Sequence, residues 1–294
     1  MAITASMVKE LRQATGAGMM DCKKALSETD GDMEAAIEFL RKKGMAGADK
    51  KAGRVAAEGR IAIAVSADGK SGLIAEVNCE TDFVAKGDEF KGFADEIAAL
   101  ALAADTTDIE AILGLTMASG NTIDIVRREM IAKIGENMSI RKAQKIESNG
   151  VIGQYQHGEK IGVVVAIDGG DDVLGRDIAM HVAAANPAAI TADDVDQEML
   201  AKERAFQIDQ AKESGKPMEI IEKMIEGRMR KYLAEITLVG QPFVKDPDTT
   251  VEKLLKANSA TVTSFIRLEV GAGIEIEETD FAAEVALAGK AVTG

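Results

Sequence analysis

The apolar positions of this chain change period several times, and each change predicts an element. Near the start, Met7, Val8 and Leu11 recur at helical spacing after Thr4 or Ser6, either of which can cap a helix. Thr15-Gly16-Ala17-Gly18 interrupts that helix, because glycine favours a turn over continuation. Met19 to Leu26 reads as a second helix, with one of Met19 and Met20 expected to fill the small core. Asp30-Gly31-Asp32 reads as a turn and cap, and Met33 to Lys42 as a third helix with Ile37 and Leu40 facing in. The stretch from Lys42 to Arg54 is basic, rich in Gly and Ala and without apolar period, the pattern of a mobile linker.

From Ala57 the period falls to two. Arg60 to Val65 alternates, Asp68-Gly69 supplies a hairpin turn, and Gly72 to Asn78 is the returning strand. Phe90, Phe93, Ile97 and Leu100 then recur at helical spacing, with Thr81 or Asp82 as the cap, in a helix expected to run to about Ala103. Shorter helical pieces follow at 109–113 and 123–134. Phe83 therefore stands at a strand-to-helix corner, where a large apolar side chain either folds back onto the core or protrudes.

The plan repeats. Gly150 to Tyr155 reads as a strand, His157-Gly158-Glu159-Lys160 as a turn and Ile161 to Ile167 as the return. Phe93-Ala94-x-x-Ile97-Ala98-Ala99 aligns with Ile178-Ala179-x-x-Val182-Ala183-Ala184, which marks an internal duplication. The corner differs between the copies: Thr81-Asp82-Phe83 in the first, Gly169-Gly170-Asp171-Asp172 in the second. The shared fold thus does not require Phe at that place.

After Asn186-Pro187, two charged helical stretches, 192–214 and 218–235, are joined by Gly215-Lys216-Pro217. Ile221, Met224, Ile225, Met229 and Tyr232 form one stripe; Val195, Met199, Phe206 and Ala211 form the other. The stripes are expected to face each other in an antiparallel arm of roughly 30 Å. A helix near 251–257, a strand over 262–270 and a terminal helix opened by Thr279 or Asp280 complete the pattern.

The expected class is α+β. The organisation reads as a three-helix domain at 1–44, a linker at 45–56, one core subdomain at 57–139, a second at 140–270 with the arm inserted at 192–235, and a C-terminal module at 271–294.

Charge narrows the partners. With 35 Lys and Arg against 49 Asp and Glu, the net charge of −14 repels phosphate backbones, so no direct nucleic-acid contact is expected. Cys22 and Cys79 are too few for a disulfide framework or a cysteine metal site. The first residues lack a basic region followed by an apolar core, and no apolar run reaches membrane-spanning length, so a soluble cytoplasmic protein with no membrane partner is expected. There is no glycine-rich phosphate loop ending in Gly-Lys-Ser/Thr, and neither His157 nor His181 sits in a catalytic or metal-ligand spacing. No catalytic residue, metal ligand or cofactor of its own is expected.

Glu80-Thr81-Asp82-Phe83-Val84-Ala85 resembles the signature of the bacterial elongation factor Ts family. The run from Thr15 through Met19, Met20 and Lys23 to Leu26 matches that family's opening signature. Ile134-Gly135-Glu136-Asn137, Tyr155-Gln156-His157-Gly158, Ile178 to Ala184 and Gly240-Gln241-Pro242-Phe243-Val244 follow in family order, so the likeness covers essentially the whole chain. It implies an N-terminal domain of the ubiquitin-associated fold, which alone would suggest an adaptor. It also implies a guanine-nucleotide exchange factor, without covalent chemistry, for the translational GTPase elongation factor Tu. Thr81, Asp82, Phe83 and Val84 would dislocate the partner's Mg²⁺, and Met19, Met20, Lys23, Ile134, Gly135, His157 and Val244 match other contact positions. Lys245 is left out, since family members can carry an apolar residue there.

Overall fold

The computed structural model describes residues 3–213 and 217–275. Helices α1 (Ala5–Thr15), α2 (Met19–Glu28) and α3 (Met33–Lys51) lead into strands β1 (Glu58–Val65) and β2 (Ser71–Cys79). Helices α4 (Asp82–Ala85), α5 (Asp88–Ala103), α6 (Ile109–Leu113) and α7 (Ile123–Ile134) follow, then strands β3 (Met138–Glu147), β4 (Val151–His157) and β5 (Ile161–Asp168). After α8 (Asp172–Ala185), α9 (Gln197–Lys212) and α10 (Met218–Ile236) come the short strands β6 (Pro242–Phe243) and β7 (Asp246–Thr250), then α11 (Val251–Ala257) and β8 (Thr261–Glu269). The fold is α+β.

Alternation along the strands builds two antiparallel sheets, β1-β2-β3 and β4-β5-β8. On the first sheet Ala62, Leu73 and Ala75 face a core with α5 and α7, while Ile61 and Ile74 face the other way. On the second, Val163, Val165 and Ile167 face α8 and α11, and Val164 and Ala166 turn back toward Ile61 and Ile74. Period two thus places the sheets face to face between outer helices. The sheets approach closely at Gly162, where an added Cβ would lie 2.4 Å from Ile61 Cγ2. No larger residue fits there without displacing a neighbour.

Five expectations are corrected. The segment 43–51 is not a linker: α3 continues through it to Lys51 and packs on α7. Gly44 lies against Ala132, Arg128 reaches Asp49 at 2.8 Å, and Ala48 is buried in the first core. The contact is made through small residues, so it shows no apolar stripe. Within the head, Leu11, Cys22, Ala25, Leu26 and Ala36 fill the core, leaving Ile37, Met19 and Met20 all exposed. Neither methionine is internal.

A strand was missed at 138–147, because Arg141, Lys142 and Lys145 obscure its alternation. Arg141 is paired to Glu76 across the sheet and Lys145 to Asp105. The expected boundary between 139 and 140 therefore falls inside β3. The helix expected from the Thr81 corner to Ala103 is broken after one turn at Lys86, and Gly87 caps α5.

The arm helices α9 and α10 meet through Ala211, Ile221 and Ile225, with Ile208 and Met229 alongside. Phe206 and Met199 are exposed rather than seated in that seam, which corrects the α9 stripe. The expected terminal helix at Thr279 and the Gly215-Lys216 connection lie outside the described residues.

Candidate partner-docking site

Thr81 closes the strand and opens the helix. Its hydroxyl oxygen accepts from the Val84 amide at 3.4 Å, capping α4. The same hydroxyl donates to Glu136 Oε1 at 2.7 Å, and the Thr81 amide donates to Glu136 Oε2 at 2.9 Å. Two motifs separated in sequence thus lock at one point. The lock is doubled by the Asn137 amide donating to Glu80 Oε1 at 2.6 Å. Asn137 Nδ2 in turn donates to the Arg54 carbonyl at 2.8 Å, tying down the chain that leaves α3.

Gly135 ends α7 in the left-handed region, at φ 93°, with its amide donating to the Ile131 carbonyl. That conformation turns the chain so that Glu136 faces the corner, and glycine adopts it without a Cβ clash. Glu136 was not singled out in the sequence as a residue with a role. Its only signal there is its place beside Gly135.

On this fixed turn Phe83 is 84% exposed. Val84 and Ala85 point the other way and pack on the first core. Asp82 pairs with Lys86 at 2.6 Å, and that hydrogen bond holds its carboxyl below the usual carboxylate range. The β4–β5 hairpin is docked beside this corner: Gln156 Nε2 donates to the Ile61 carbonyl at 2.7 Å, and the Ile61 amide donates to the Glu159 carbonyl at 2.9 Å. His157, exposed at the end of β4, stacks on Tyr155.

The remaining candidates are distributed. Met19 and Met20 are 60% and 74% exposed at the start of α2, with Lys23 exposed one turn on. Ile134 is half-buried and faces the first core, so at that position the surface is offered mainly by Gly135. Val244 is exposed in the β6–β7 turn of the second half.

The second copy holds an equivalent that sequence alignment of the corners missed. Asp171 caps α8 by accepting from the Leu174 amide, as Thr81 does from Val84. Aligned on the caps, Phe83 corresponds to Val173, which is 68% exposed. The second cap-plus-two position is therefore apolar and outward as well.

Large apolar side chains held outward on a rigid turn form a surface for docking against another macromolecule. The family model described as elongation factor TS matches residues 80–272. Over the full length of both chains, this protein is 76% identical to elongation factor Ts of Hydrogenovibrio crunogenus. It is 59% identical to elongation factor Ts of Methylococcus capsulatus over 97% of this chain and 98% of that one. Elongation factor Ts of Idiomarina loihiensis is 56% identical over 97% of each. The chain belongs to the elongation factor Ts family, and with it to the translation elongation factors. Among the described residues, no helix is long and apolar enough to cross a membrane.

Proposed function

We propose that the chain is a guanine-nucleotide exchange factor for elongation factor Tu in the cytoplasm, acting without covalent chemistry and without direct nucleic-acid contact. The observation that carries this reading is Phe83, exposed on a corner that Glu136 and Glu80 clamp from behind. The proposed architecture is a ubiquitin-associated-like head, two duplicated subdomains, a helical arm and a C-terminal module.

A GTPase holds GDP through backbone amides around the phosphates and a Mg²⁺ bridging phosphate and protein oxygens. Expelling GDP requires a factor that binds the nucleotide-free conformation better. Coupling is reciprocal: whatever weakens GDP when the factor is bound equally weakens the factor when GDP is bound. A ten-thousandfold weakening needs about 5.5 kcal/mol of differential binding. Burying one Phe supplies roughly 1.5–3 kcal/mol, so Phe83 alone is insufficient. In this account Phe83 wedges beside the partner's Mg²⁺ site, and the ionised Asp82 disturbs its water and ligand shell. Thr81 and Val84 hold the turn in place, Thr81 through Glu136 and Val84 through the core. Met19, Met20, Lys23, Gly135 with Ile134 beneath it, His157 and Val244 supply the remaining contacts.

The test is calorimetric. The full-length chain should bind nucleotide-free elongation factor Tu far more tightly than the GDP-bound form, and equal affinities would remove the exchange reading. A second prediction concerns the head. Because both methionines are exposed, Met19→Ala with Met20→Ala should leave the melting curve unchanged and weaken the complex roughly tenfold. Unchanged affinity would remove the head from the contact.

A further inference from the structure

Two of the ordered motifs, the one containing His181 and the one from Gly240 to Val244, meet in the second half at a buried polar junction. His181 on α8 is buried, with one ring nitrogen on the β6–β7 turn and the other on Gln241, just before β6. The Val244 amide donates to His181 Nδ1 at 3.2 Å. On the other side His181 Nε2 lies 2.9 Å from Gln241 Oε1.

The two hydrogen bonds fix the tautomer. A backbone amide can only donate, so Nδ1 must offer its lone pair and the proton must sit on Nε2. Gln241 Nε2 donates to the Glu235 carbonyl at 2.8 Å, so the amide oxygen of Gln241 faces the imidazole and requires a donor there. Both demand the same neutral ring. Gln241 is itself held by its backbone, its amide donating to Thr237 and its carbonyl accepting from Val251. Phe243, buried one residue before Val244, lies with its ring 6.0 Å from the imidazole.

We infer that His181 is a positioning residue for the partner contact at Val244: its Nδ1 lone pair fixes the amide, and hence the outward direction, of that exposed side chain. The inference rests on the proposed reading of Val244 as a contact. It accounts for a histidine inside an otherwise apolar helix face, flanked by Ile178, Ala179 and Val182. Burial pushes the imidazole below its usual range, with the Gln241 hydrogen bond acting the other way, so the ring is neutral near pH 7. Three charged groups on the elements around it are engaged elsewhere. Asp177, on the same helix, pairs with Lys245 of the turn at 2.5 Å; Glu235 of α10 pairs with Lys231 at 3.7 Å, and Glu252 of α11 with Lys256 at 2.6 Å.

The experiment is a double-mutant cycle in the full-length chain, titrated against purified elongation factor Tu·GDP. His181→Gln keeps a polar group toward Gln241 and removes the acceptor at Nδ1, and it should weaken binding roughly three- to tenfold. His181→Asn, whose amide oxygen can occupy the Nδ1 position, should restore most of the affinity. Val244→Ala should weaken binding as well, and adding His181→Gln to it should cause little further loss. If Val244→Ala binds normally, the contact reading itself fails and the inference falls with it. If Val244→Ala binds weakly while His181→Gln binds normally, or the two losses simply add, the contact stands and the positioning role is overturned. Equal losses in His181→Gln and His181→Asn would also overturn it. For the unsubstituted chain, ¹⁵N NMR at pH 7 should show the Nε2–H tautomer with Nδ1 unprotonated; an Nδ1–H tautomer contradicts the inference whatever the variants' stability.

Discussion

Phe83→Ala is expected to melt within about 2 °C of the parent chain, because a side chain exposed to this degree contributes within about 0.5 kcal/mol to the fold. Its stimulation of GDP release is expected to fall roughly ten- to hundredfold, the rate equivalent of the 1.5–3 kcal/mol that burying a Phe against the partner would supply. The separation of the two readouts is what matters. A core phenylalanine truncated to alanine would cost about 3–5 kcal/mol, and thermal unfolding would reveal it at once. Early melting, with normal exchange by the molecules still folded, would contradict the docking role. Val173 supplies an internal comparison. It occupies the same cap-plus-two position, also outward, so neither copy of the fold uses that position for its core.

The largest effect on stability is expected at Arg141→Ala. Glu76 is fully buried in β2, and its carboxylate accepts from Arg141 Nη1 at 3.0 Å, from Asn78 Nδ2 at 3.1 Å and from the Gly271 amide at 2.9 Å. Arg141 also donates to the Ala272 carbonyl at 2.8 Å, so the pair ties the segment after β8 to the first sheet. Among the described residues, removing the guanidinium leaves the buried carboxylate with Lys142, at 3.9 Å, as its one remaining cation. The cost is expected near 3 kcal/mol, the low end for breaking a buried pair, or a fall in melting temperature of about 6–12 °C. Adding Glu76→Gln removes the stranded charge and should recover part of that loss. A double variant as unstable as the sum of its singles would show that the pair does not act as a unit.

What could be read from the sequence follows from where the physics is local. The two hairpins were legible because Arg60 to Val65 and Ile161 to Ile167 alternate or run apolar between clear turns. The Phe83 corner was legible because period two gives way to period 3.6 across a capping threonine. β3 was hidden because its charged residues are neutralised by partners distant in sequence, Glu76 and Asp105. The continuation of α3 was hidden because its packing face is made of Gly44 and Ala48, which carry no hydrophobic signal. The clamp on Thr81 comes from Glu136, 55 residues away, and no local pattern could assign it. Met19 and Met20 show the opposite failure. Side-chain type suggested that one of the two fills a core that Leu11, Leu26 and Cys22 already occupy.

Stopped-flow release of fluorescent GDP from elongation factor Tu tests most directly whether this corner speeds loss of nucleotide from a GTPase. With the full-length chain in increasing excess, the account predicts a release rate that rises and then saturates as the complex fills. A complex that forms at the same concentrations while GDP leaves at its spontaneous rate would contradict it.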